Sequence, residues 1–151
     1  MNIAVGSDHA AFGLKQKVVE RLRAMGHQVE DLGTNSTAAC DYPPIARDVA
    51  ERVAGGKAER GVLMCGTGIG MSIAANKVPG VRAALVYSEK VAAGTRDHND
   101  SNVLVLAGRE FEDEANLRMM EVWMGTPYSG EERHRRRLKQ IEDIEKRGGS
   151  R

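Results

Sequence analysis

The run Gly61-Val62-Leu63-Met64-Cys65-Gly66-Thr67-Gly68-Ile69-Gly70 decides the fold. Its first five residues are small or apolar with no polar interruption, the pattern of a strand buried on both faces. Three glycines at alternate positions then make a tight turn into a helix that runs to Lys77. Upstream, residues 3–5 form a strand that stops at Gly6-Ser7-Asp8-His9. Leu14, Val18, Leu22 and Met25 fall on one face of the next helix, which ends at Gly26. Residues 27–32 make a second strand and 33–41 a polar loop. Pro43-Pro44 opens a further helix, continued by Ile45, Val49 and Val53 and closed by Gly55-Gly56. Downstream, Pro79-Gly80 turns into a strand at 81–87, and a helix at 89–96 precedes the polar run His98-Asn99-Asp100-Ser101-Asn102. A strand at 103–107 leads to helices at 112–124 and about 131–147, with a frayed tail at 148–151. Five strands alternating with helices predict an α/β fold, with a five-stranded parallel sheet, helices on both faces, and one domain over 1–151. Ligands bind such sheets beyond the carboxyl ends of the strands. Here those ends carry Ser7-Asp8-His9, Asp41-Tyr42, residues 65–72 and Gly108-Arg109.

Composition excludes several function classes. Of 151 residues, 41% are hydrophobic and 28% charged, ordinary for a globular domain. A net charge of +1 argues against a nucleic-acid or membrane surface. Aromatics make up only 4%, so a ligand is held by polar groups and backbone rather than by stacked rings. No apolar run has the length of a membrane span, and the chain enters a strand at once, without the basic and apolar regions of a signal peptide. Two cysteines, Cys40 and Cys65, give no disulfide framework and suit a reducing, cytoplasmic setting.

The glycine turn exposes successive backbone N–H groups, a nest that stabilises an anion, either a phosphate or a developing oxyanion. Its Gly-x-Gly-x-Gly spacing differs from the dinucleotide fingerprint and follows the third strand rather than the first, although Glu89 lies where a ribose-binding acid would be sought. No Gly-Lys-Ser/Thr follows, which excludes a P-loop. A turn without any ligand is the plainer alternative. Cys65 sits where a helix N-terminus lowers a thiol's pKa from its free value of about 8.5, so a thiolate could abstract a proton alpha to a carbonyl. Its alternative is a small buried hydrophobe.

His9 and His98 are loop histidines beside Asp8 and Asn99, placed as proton shuttles or as inert surface residues. Neither has zinc-ligand spacing with the cysteines, so no metal is expected. Arg133 and Arg137 stand four apart on the last helix, and two guanidinium forks side by side suit a phosphate. A solvated helical face, or a nucleic-acid patch lacking the usual aromatics, are the other readings of that run.

The stretches Ile3-Ala4-Val5-Gly6-Ser7-Asp8-His9, Asp41-Tyr42-Pro43, residues 65–77 and His98-Asn99-Asp100-Ser101-Asn102-Val103 closely resemble the type B ribose-5-phosphate isomerases and their galactose- and allose-6-phosphate relatives. Arg133, His134 and Arg137 fall on that family's C-terminal pattern, and the likeness runs to about residue 147. The resemblance implies a Rossmann-like, metal-independent, cofactor-free aldose–ketose isomerase acting on a sugar phosphate. It implies a homodimer or dimer of dimers with its site shared across the interface, and no nucleic-acid or membrane partner. By the same likeness His98, with Asp8 nearby, assists ring opening, Cys65 moves a proton from C2 to C1, and Thr67 handles hydroxyl protons. Amides around Gly66, Gly68, Gly70 and Ser72 hold the enediolate. His9, Arg109, Arg133 and Arg137 bind the phosphate, and Tyr42 and Asn99 also line the substrate. One branch of the family carries a glutamate in the glycine loop and no cysteine at the strand end. Met71 stands in that place here, which puts the chain in the cysteine branch. Galactose-6-phosphate relatives tend to lack the His-Asn-Asp run, which favours ribose 5-phosphate over a hexose 6-phosphate. A non-catalytic sugar-phosphate or nucleotide-binding module is the rival from another class.

Overall fold

The computed structural model describes residues 1–148, and the quoted strand lies at its centre. The elements run β1 (Asn2–Ser7), a 3-10 turn at His9–Ala11, α1 (Phe12–Ala24), β2 (Gln28–Asp31), α2 (Tyr42–Ala54), β3 (Arg60–Cys65) and α3 (Ile69–Ala75). They continue as β4 (Ala83–Leu85), α4 (Glu89–Asp97), β5 (Val103–Ala107), α5 (Asp113–Gly125) and α6 (Glu132–Gly148). All pairings are parallel, in the order β2-β1-β3-β5-β4. The α/β expectation holds.

Alternation along β3 explains the layers. Val62 and Met64 join the core under α1 and α5, whereas Leu63 and Cys65 join the core under α2 and α3. A strand with both faces covered has to be apolar at every position, and this one is buried from Gly61 to Cys65. Glycines let α2 approach closely. A Cβ on Gly61 would come within 2.8 Å of Val49, and one on Gly6 within 2.7 Å of Ile45.

Several boundaries differ from the sequence expectation. Met25 lies past the end of α1 and is 40% exposed, because the backbone has already left the helix for Gly26 at φ +86°. The helix expected to reach Lys77 stops at Ala75. There the Asn76 side chain, whose Oδ1 accepts the Ala83 N–H and whose Nδ2 donates to the Ala83 carbonyl, both at 2.9 Å, ties the chain end into the next strand. The strand expected at 81–87 shrinks to three residues, since β4 is an edge strand paired only with β5. The last helix continues through Gly148, and the remainder of the expected frayed tail, 149–151, lies outside the described residues.

Candidate active site

The sheet order reverses direction between β1 and β3, and the crevice beyond their carboxyl ends is where such sheets take ligands. Asp8 and His9 leave β1 there, and Cys65 closes β3 beside them, with Asp8 N–H donating to the Met64 carbonyl at 3.3 Å. Arg109, after β5, crosses the loop from the other side. Its amide donates to Gly66 O at 2.9 Å, and its side chain lies 3.3 Å from where a Gly66 Cβ would be. Tyr42 opens α2 and lays its ring over Gly70, where a Cβ would meet the phenol carbon at 2.6 Å.

The loop's polar groups divide into those in use and those left open. Gly68 sits at φ +77°, which turns its N–H onto Cys65 Sγ at 3.2 Å. The Ile69 amide donates to Thr67 Oγ1 at 3.3 Å, so the exposed Thr67 hydroxyl keeps its own proton free to donate. The Ser72 amide is taken by the Gly68 carbonyl at 3.0 Å, which removes it from any anion cradle. The amides of Gly66, Thr67, Gly70 and Met71 have no acceptor among the described residues. The first three, with the sulfur, form the chemical surface of the loop. Because α3 is less than two turns long, individual amides rather than a helix dipole set the local field. Met71 itself is fully buried and belongs to the core.

Cys65 is 5% exposed, but its sulfur faces the loop amide rather than being lost among the helices. Asp8 is buried, and its Oδ1 accepts the Ala10 N–H at 2.9 Å, a cap on the turn that follows. His9 accepts the Cys40 amide on Nδ1 at 3.2 Å. That bond puts the ring proton on Nε2, leaving a donor for an anion. The sequence carries no signal of this contact with Cys40, because no spacing rule connects positions so far apart in the chain.

His98 and Asn99 are elsewhere. α4 runs antiparallel to the strands, so its C-terminal end delivers them to the opposite rim, next to the start of β5. Gly61 pairs with Val103 and Cys65 with Ala107, so the strand separates the two rims by about 13 Å at 3.3 Å per residue. The polar run itself is built as a strut. Asp100, at φ +44°, accepts from Arg96 at 2.7 Å and from Arg82 at 3.1 Å. Trp123 Nε1–H donates to Ser101 Oγ at 2.8 Å, and Asn102 Oδ1 accepts the Arg82 amide at 2.8 Å. Arg60 and Arg96 lie over the Trp123 ring at 5.1 and 5.9 Å, and burial, with the neighbouring Arg96 charge, pushes the Arg60 guanidinium down. His98 and Asn99 are left exposed on top of this frame.

The C-terminal arginines share that lower rim. Arg133 is engaged by Glu131 at 2.8 Å, whereas Arg137 and Arg109 have no ion-pair partner among the described residues. The side-by-side fork expected of Arg133 and Arg137 is thus half occupied. Glu89, the candidate ribose acid, opens α4 after the edge strand, where its carboxylate pairs with Arg118 at 3.3 Å. Among the described residues no three His, Cys, Asp or Glu side chains are grouped as a metal ion would need, and no helix is long and apolar enough to cross a membrane.

Comparison with known proteins places this arrangement. A family profile described as Ribose/Galactose Isomerase matches residues 3–141. Ribose-5-phosphate isomerase B of Escherichia coli is 43% identical over 145 residues, covering 96% of this chain and 97% of its own. Among solved structures, Clostridium thermocellum ribose-5-phosphate isomerase B superposes with a TM-score of 0.95 at 41% identity, covering 97% of this chain and 99% of that one. The Mycoplasma genitalium enzyme, solved with bound ribulose 5-phosphate, gives 0.92 at 42% identity, with 96% of each chain covered. With the cysteine, the glycine loop and the polar run all in their places, this chain belongs to the ribose/galactose isomerase family.

Proposed function

We propose that this isomerase builds each active site from two chains, with the Cys65 loop of one facing His98, Asn99, Arg133 and Arg137 of another. The reaction is the interconversion of ribose 5-phosphate and ribulose 5-phosphate. The observation that carries the shared site is the distance between rims. A sugar phosphate cannot touch Cys65 and His98 of one chain, because the core of the sheet lies between them. A second copy supplies the missing half. Ile69 and Ile73 on α3, Tyr87 after β4, and Ile141 and Ile144 on α6 are large apolar side chains left exposed, the surface that such a partner covers.

In this reading His98 takes the anomeric hydroxyl proton and delivers a proton to the ring oxygen as the bond between that oxygen and C1 breaks, leaving the aldehyde. The Cys65 thiolate then removes the C2 proton, and the electron pair moves through C1 to its oxygen. The resulting enediolate is held by the open amides of Gly66, Thr67 and Gly70, donors already in place before charge develops. Thr67 moves the proton between the two oxygens, and Cys65 returns its proton to C1. His9 Nε2–H and Arg109 from the Cys65 chain, with Arg133 and Arg137 from the other, enclose the phosphate. Asp8 holds the turn that aims His9, and Tyr42 walls the sugar against Gly70.

Incubation with ribose 5-phosphate in deuterated water tests the chemistry. Ketose carrying deuterium at C1 is the expected product. The label enters where the Cys65 thiol exchanges with solvent before it reprotonates C1; ketose and recovered aldose both free of deuterium after prolonged incubation would leave the enediolate without support. Turnover of allose 6-phosphate alone would move the substrate while sparing the mechanism.

A further inference from the structure

Of the histidines, His134 is the one buried, at 4% exposure, and the reaction just described gives it no part. It stands in the first turn of α6, a helix that otherwise buries none of its side chains. Its ring lies against His98, with centroids 4.6 Å apart and planes tilted by 39°. Its Nδ1 is 2.9 Å from Ser129 Oγ, and Ser129 Oγ is 2.9 Å from the Asp97 carbonyl oxygen. The carbonyl can only accept, so the serine proton points to Asp97 and the serine oxygen must accept from His134. The proton of His134 therefore sits on Nδ1. Asp97 closes the circuit, its carboxylate 3.2 Å from His98 Nε2.

We propose that His134 is a positioning residue for ring opening. Its ring braces one face of His98, and the Ser129–Asp97 link fixes the orientation of that brace. The circuit also sets the register between the end of α4 and the start of α6. One buried side chain thus places the ring-opening histidine and the arginines at 133 and 137 with respect to each other. Exposed His98 has no other aromatic neighbour among the described residues, so without the brace its imidazole samples rotamers that point it away from a substrate.

The inference rests on the reading that His98 opens the ring, and the test separates the two. Ribulose 5-phosphate is acyclic, so exchange of its C1 proton with deuterated water needs Cys65 but no ring opening. His134→Asn keeps a donor at the Nδ1 position but removes the ring face. Ser129→Ala removes the link at an exposed site, and a thermal melt checks that each variant is folded. Net conversion of ribose 5-phosphate should fall about 10- to 100-fold in His134→Asn and several-fold in Ser129→Ala, while C1 exchange, measured at saturating ribulose 5-phosphate so that any shift of Arg133 and Arg137 shows in KM alone, stays within about twofold of the parent. His98→Asn serves as the reference and should show the same split, more steeply. If His98→Asn splits the two rates and the His134 and Ser129 variants leave both unchanged, or lower both in parallel, the positioning role is overturned. If His98→Asn itself leaves net conversion intact, the ring-opening reading fails first. Should His134→Asn not fold, Ser129→Ala decides alone.

Discussion

The loop after β3 and the turn after α4 are both short polar punctuation in the sequence, yet they are held in opposite ways. The first is held by backbone. Its carbonyls are taken by the amides of Gly108 and Arg109, its glycines sit where Cβ atoms do not fit, and what remains pointing outward is a sulfur and a set of amides. The second is held by side chains. Asp100, Ser101 and Asn102 are drawn inward by Arg82, Arg96 and Trp123, and only His98 and Asn99 are presented. A backbone cradle recognises developing charge whatever the sugar. In the proposed reading the presented imidazole and amide recognise one geometry, from the far rim of the sheet. The difference is what the proposed two-chain site rests on: on that reading each chain carries two unlike halves and a second copy joins them.

The sharpest way to break this comparison is at the sulfur. Cys65→Ala should lower the isomerisation rate by about 10²–10⁴, the usual contribution of a positioned acid–base group, while ribose 5-phosphate still binds by calorimetry. A rate within threefold of the parent would remove Cys65 from the chemistry.

Within the loop, two glycines should respond differently. Gly68→Ala puts a side chain at φ +77° against Leu85 and, at 3.2 Å, against the Leu106 carbonyl, and should cost about 3 kcal/mol in urea unfolding. Gly70→Ala meets only the outer end of the Tyr42 ring, which is 38% exposed and can swing aside. It should cost under about 1 kcal/mol yet raise KM, because Tyr42 leaves the sugar's side. Equal costs at the two positions would show the loop to be less rigid than the packing implies.

The strut is tested by Asp100→Ala, which strips partners from Arg82 and Arg96 and should cost about 2 kcal/mol, with half-exposure of the carboxylate limiting the loss. Trp123, the chain's single tryptophan, reports the unfolding directly. The smallest expected effect lies at His27, whose imidazole is pushed below its ordinary value of 6.5 by burial first, then by the N-terminal ammonium and Arg60. The unfolded chain takes up this proton earlier as pH falls, so the stability His27 contributes is present above pH 6.5 and is lost below it. His27→Gln should lessen the drop in Tm between pH 7.5 and pH 5.5 without changing turnover, since His27 is remote from both halves of the site.

Much of this was legible in residue order. An uninterrupted apolar strand and alternating glycines suffice for a doubly covered parallel sheet and for a ligand at its carboxyl rim, and β5 begins and ends where its apolar run does. The length of β4 was not legible, because an edge strand loses its pairing partner without losing its apolar residues. The division inside residues 98–102 was equally hidden, since inward and outward polar residues look alike in sequence. His134 carries a signal in the sequence, though a partial one. It precedes Leu138 and Ile141 at intervals of four and three, an apolar stripe along α6 of which His134 alone is buried.

The central claim is that a working site takes its sulfur from one chain and its imidazole from another. Cys65→Ala and His98→Asn chains carrying different tags can be co-expressed and the mixed dimer purified by both tags. Each parent variant is inactive as a homodimer, but the mixed dimer has one intact site of two and should recover about half the wild-type rate per dimer. A mixed dimer as inactive as its parents would mean that Cys65 and His98 act within one chain, and would contradict the account.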